Sequence, residues 1–120
     1  MLPCCVTRSS SCGETVYKMK TVVICGSMRF EREMQQIAMD VEIHHSMNVL
    51  QCTYNPQGNV LSKTEIEALV RAHYQKIALS DAVYVVDMDG YIGESVRREI
   101  AYAKENGKEV IFHTEFHAAG

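Results

Sequence analysis

The chain has no long basic run, no apolar stretch of membrane-spanning length, no C-x-x-C pair and no glycine-rich cofactor fingerprint. Each absence removes a class of function. A formal net charge of −3 at pH 7 lacks the surplus of Lys and Arg that neutralises a polymer's phosphates, so it gives no support for binding a nucleic-acid polymer and none is expected as a partner. Free nucleotides stay open, since they need only a few local contacts. No segment approaches the roughly 20 apolar residues of a membrane helix. Met1-Leu2-Pro3-Cys4-Cys5 runs into polar residues without the apolar core of a signal peptide, so the expected location is cytoplasmic, with no membrane partner. The five cysteines, Cys4, Cys5, Cys12, Cys25 and Cys52, show no paired metal spacing, and Cys25 and Cys52 fall within predicted strands as small core residues. The glycines do not fall as G-x-G-x-x-G and no Walker A lysine is present, which argues against dinucleotide and triphosphate sites. Neither a cofactor nor a metal is expected. There is no internal repeat and no heptad.

What remains is an ordinary globular composition, 47% hydrophobic and 22% charged over 120 residues, sufficient for one core and one domain. Residues 1–18 are rich in Ser, Thr and Cys, show no period, and read as a flexible N-terminal extension to a domain over 19–120. Thr21 to Cys25 and Ala82 to Val86 are continuous β-branched or apolar runs of the kind buried on both faces of a parallel sheet. Asn48 to Thr53 and Glu109 to Phe112 supply two more strands. Helical spacing links Phe30, Met34, Ile37, Ala38 and Val41, then Ile66, Leu69, Val70, His73 and Ile77, then Val96, Ile100 and Ala103. Ser62 with Glu65 forms a capping box before the second helix, and Gly107 stops the third. Strands alternating with helices predict an α/β fold, an open parallel sheet of about four to five strands with helices on both faces, flavodoxin-like or Rossmann-like. The first strand should be central, and the ends of the first and third strands should border a cleft.

One residue breaks the pattern of the third helix. Glu99 lies three positions after Val96 and four before Ala103, which puts a carboxylate on the apolar face. Burial opposes its charge and the positive helix end favours it. Such a carboxylate at the floor of a cleft suits a nucleophile or a cation stabiliser; otherwise it pairs with Arg97, Arg98 or a neighbouring subunit and does no chemistry. His73 interrupts the second apolar stripe in the same way and is either a satisfied core histidine or a pocket residue. Gly26-Ser27-Met28-Arg29 offers free backbone N–H groups and a guanidinium to an anion, or is an ordinary turn with a capping serine. His44 and His45 at a helix end read as structural or solvated, and His113 and His117 have ligand spacing only if helical.

Several of these segments together resemble one family. Ile24-Cys25-Gly26-Ser27-Met28-Arg29, Ser80 to Val86, Gly93 through Ala103 and Gly107-Lys108-Glu109-Val110 are similar to the first strand, third strand, nucleophile helix and exit of the nucleoside 2-deoxyribosyltransferase-like family, which includes the 2′-deoxynucleoside 5′-phosphate N-hydrolases. The resemblance covers about residues 20 to 113 and is closest to an uncharacterised branch with G-Y-I-G-E-S. It implies that Glu99 attacks the anomeric carbon of a nucleoside or nucleoside 5′-monophosphate and that the base leaves. It places Gly26, Ser27, Met28, Arg29, Gly93 and Ser95 around sugar and phosphate, and Asp87 or Asp89 at the base or its protonation. Hydrolysis comes slightly ahead of transfer, and a homodimer or larger assembly is implied. His73, a candidate catalytic residue, stands where many relatives carry an aspartate, a departure from the family pattern that bears on proton handling. A nucleotide-binding or sensor module using the same cleft without catalysis is the alternative.

Overall fold

A computed structural model describes residues 19–119; the extension expected over 1–18 lies outside them. Four parallel strands, β1 (Thr21–Gly26), β2 (Asn48–Leu50), β3 (Ala82–Val86) and β4 (Glu109–Phe112), lie in the order β2-β1-β3-β4. Register is continuous across the sheet, with Val22 opposite both Val49 and Ala82 and Val83 opposite Val110. Helices α1 (Glu31–His45), α2 (Lys63–Leu79), α3 (Glu94–Glu105) and α4 (His113–Ala119) connect or follow the strands.

Side-chain alternation along the strands divides the core between the two faces. Val22, Ile24, Ala82, Tyr84 and Val86 pack against Met34, Ala38 and Val41 of α1 and Phe116 of α4. Val23, Cys25, Val83 and Val85 pack on the other face against Ile77 of α2 and Val96 and Ala103 of α3. Every residue of β3 is buried, as a strand covered on both sides requires. β1 is central as expected. α1 leaves β1 toward one face and α3 leaves the neighbouring β3 toward the other, which opens a crevice between their carboxyl ends.

Two local expectations change, and a conditional one is met. The second strand pairs with β1 over only three residues; beyond Leu50 the chain departs from the sheet, and Cys52 and Thr53 face the crevice instead. The apolar stripe of α2 is buried only at Ile77, because Ile66, Leu69 and Val70 overhang the crevice and stay 36–50% exposed. The segment after β4 continues as α4, so His113 and His117 do share a helix, with ring centroids 4.2 Å apart. His113 Nδ1 is committed to the Tyr84 hydroxyl at 2.8 Å. No helix among the described residues is long and apolar enough to cross a membrane.

Candidate functional site

The crevice has a volume of about 490 Å³, within the range of small-molecule sites. β1 and the turn after it supply Gly26, Ser27 and Met28; α2 supplies Ile66, Leu69, Val70 and His73; α3 and the turn before it supply Tyr91, Gly93, Ser95 and Glu99. Local sequence explains each placement. Ser62 Oγ accepts from Glu65 N–H at 3.1 Å and Ser62 N–H donates to Glu65 Oε1 at 2.8 Å, which starts α2 at the register that turns His73 inward. Gly93 caps α3, and Glu99 falls in its second turn on the face of Val96 and Ala103. Ser27 caps the short turn at Met28–Phe30, its hydroxyl accepting from Arg29 N–H at 3.3 Å. Gly26 has a packing reason of its own. A Cβ there would sit 3.1 Å from Met34 Sδ and 3.2 Å from Val86 Cβ.

At the floor, Glu99 Oε1 lies 3.2 Å from His73 Nε2, with the two side chains only 16% and 12% exposed. The same nitrogen lies 3.5 Å from Cys25 Sγ. His73 Nδ1 is buried without a partner among the described residues. Burial, and then the adjacent Glu99 carboxylate, push the Cys25 thiol well above its usual range, so Cys25 is a neutral thiol at pH 7 and no nucleophile. Burial likewise raises Tyr74, Cys52 and Tyr54 nearby. Donor atoms of Cys25, His73 and Glu99 all lie within 4.8 Å of one another, a spacing that can hold a metal ion.

No known protein-family model matches the chain, and no characterised protein matches it in sequence.

Of the residues singled out in the sequence, Glu99, His73, Gly26, Ser27, Met28, Gly93 and Ser95 therefore line one crevice. Arg29 stands outside it, its guanidinium carbon 4.2 Å from the centre of the Tyr91 ring, and borders the crevice only through that ring. Asp89 is exposed on the turn at Met88–Gly90, in left-handed backbone with φ 55°. Asp87 points away from the crevice lining, and its carboxylate accepts from Thr114 N–H at 3.0 Å and Thr114 Oγ1 at 2.8 Å, which ties the start of α4 to the end of β3. Arg97 and Arg98 are exposed, and Arg98 pairs with Glu94 at 3.3 Å, so the side chain that meets Glu99 is His73. Sequence reasoning missed Cys25 and Tyr91 as site residues, along with the crevice wall of Cys52, Thr53, Ile66, Leu69 and Val70. Cys25 sits two positions after Val23 on the face that carries α2 and α3, and that alternation was the available signal.

Proposed function

We propose that the chain cleaves or transfers at the N-glycosidic bond of a nucleoside, deoxynucleoside or nucleoside 5′-monophosphate, with Glu99 as nucleophile and hydrolysis ahead of transfer. The observation that carries the reading is the Glu99 carboxylate, 16% exposed and in contact with His73, in a crevice at the carboxyl ends of central strands, where Glu94 is the exposed acid of the lining. An oxocarbenium-like transition state needs a carboxylate close to the sugar face. Glu99 would form an ester bond to the anomeric carbon as the carbon–nitrogen bond breaks and the base leaves with the bonding pair, taking up a proton from solvent. Water then delivers its hydroxyl to that carbon and a proton to solvent, restoring the carboxylate; a second base in place of water gives transfer. His73 fixes the carboxylate and is the titratable cleft residue in contact with it. Ser27, Ser95 and the free N–H groups at the start of α3 suit a 5′-phosphate. The apolar rim of Ile66, Leu69 and Val70 suits both a base and a second subunit, in keeping with a homodimer or larger assembly of a cytoplasmic enzyme.

The test is chromatographic detection of free base from deoxy- and ribonucleosides and their 5′-monophosphates, with wild type and Glu99→Ala compared. Release from at least one substrate, falling at least about a hundredfold in the variant, is expected. One observation favours a non-catalytic nucleotide sensor: the carboxylate oxygen is already held by His73. Absence of release from every member of the panel, with a nucleotide bound intact and equally well by Glu99→Gln, would establish that reading instead.

A further inference from the structure

We propose that Cys25, His73 and Glu99 form a zinc-binding site beneath the cleft. A thiol sulfur, an imidazole nitrogen and a carboxylate oxygen gather within 4.8 Å of one another, and no other such group of three occurs among the described residues. The contacts share one atom, since Cys25 Sγ at 3.5 Å and Glu99 Oε1 at 3.2 Å both meet His73 Nε2. A Cys-His-Glu proton relay would use opposite ring nitrogens, one toward the sulfur and one toward the carboxylate. Among the described residues His73 Nδ1 meets no partner, so both contacts fall on Nε2 and no such relay is assembled. What remains is a thiol and a carboxylate gathered at one imidazole nitrogen.

The spacing matches an ion. Zinc bonds of about 2.3 Å to sulfur, 2.0–2.1 Å to nitrogen and 2.0–2.2 Å to a carboxylate set tetrahedral ligands roughly 3.4–3.6 Å apart. The sulfur–nitrogen and nitrogen–oxygen separations of 3.5 and 3.2 Å need adjustments of a few tenths of an ångström, and the sulfur and the carboxylate lie within 4.8 Å of each other. A mixed sulfur, nitrogen and oxygen set selects zinc over magnesium or calcium, which take oxygen ligands. His73 and Glu99 line the cleft, so the fourth position opens toward it, as in zinc sites with three protein ligands. Binding forms the sulfur–zinc bond and releases the Cys25 proton to solvent, with no change of oxidation state. The site does not depend on the glycosidic reading. If Glu99 is the nucleophile, zinc occupies its oxygen and suppresses base release.

Cobalt(II), a coloured substitute for zinc, tests the site on the full-length chain. One equivalent should produce a thiolate-to-cobalt charge-transfer band with intense tetrahedral visible absorption, and added zinc should bleach both. Cys25→Ser should lose the charge-transfer band, whereas Cys52→Ser should keep it. X-ray absorption of wild type loaded with one equivalent of zinc checks the same ligands without a variant, and should show one sulfur among nitrogen and oxygen neighbours. No cobalt band, a band that survives Cys25→Ser, or a zinc shell with no sulfur or several overturns the proposal. Base release assayed after chelation is a separate readout, so failure of either reading is distinguishable from failure of the other.

Discussion

Replacing Asp87 by alanine separates two roles for this carboxylate, because a group that protonates the departing base and a group that anchors a helix fail in different ways. Asp87 is 6% exposed and accepts two hydrogen bonds from Thr114, one from its N–H at 3.0 Å and one from its hydroxyl at 2.8 Å. Thr114 lies in the first turn of α4, where backbone N–H groups lack intrahelical partners and a negative charge is favoured. α4 in turn places Phe116 edge-on to buried Tyr84, with ring centroids 5.6 Å apart. Bonds to a charged acceptor contribute about 1.5–3 kcal/mol each, but exposed Thr114 regains water when they are lost, so Asp87→Ala should cost about 2–3 kcal/mol in total. At 4–8 °C per kcal/mol for a domain of about a hundred residues, the melting temperature should drop by roughly 10–20 °C. Asp87→Asn keeps an acceptor for the N–H and a donor for the hydroxyl, and should lose only about 1 kcal/mol. Thermal melts followed by circular dichroism give the ranking, and base release well below the lower melting temperature gives the second readout. An Asp87→Ala protein that melts like wild type and releases no base would refute the anchoring role.

Three further outcomes follow from the same geometry. Gly26→Ala puts a Cβ 3.2 Å from Val86 Cβ, which cannot yield as flexible Met34 can, and should destabilise by about 1–3 kcal/mol in denaturant unfolding. Ser62→Ala removes half of the α2 capping box and should cost about 1 kcal/mol by the same measurement. Burial, and then His117, hold His113 below its ordinary value of 6.5, against the weaker opposite pull of Asp87 and Asp40. The unfolded chain therefore takes up the His113 proton first, so this contribution is complete above pH 6.5 and declines as pH falls from there to the lowered folded value. A melting-temperature profile from pH 8 to 5 should slope less in His113→Gln than in wild type.

Much of the fold was legible because its signals are local. Ala82 to Val86 and Glu109 to Phe112 form strands with the bounds read from the sequence, and the Ser62 and Glu65 capping box closes as spacing predicts. Where the reading failed, a long-range partner decided. Gln51 to Thr53 carry strand-like residues, but β2 lies at the sheet edge and pairs only as far as Leu50. Ile66, Leu69 and Val70 have the period of a buried face, yet periodicity shows only that residues share a side, not that the side meets a core. Here the same stripe is core at Ile77 and cleft wall one to three turns earlier.

The site divides along the same line. Glu99 and His73 stood out as polar interruptions of apolar stripes, and each interruption faces the other across 3.2 Å. Cys25 gave no such warning, since a cysteine in a strand satisfies the apolar pattern it interrupts chemically. Its importance comes from topology: alternation sends Val23 and Cys25 toward α2 and α3, and the order β2-β1-β3-β4 brings both helices over β1. Asp87 shows the converse. It ends a central strand beside a glycine turn, the position where open sheets keep their ligands, and its carboxylate is nonetheless spent on Thr114. Position at a strand end thus nominates a residue, and the Asp87 variants measure how far the Thr114 contact accounts for it.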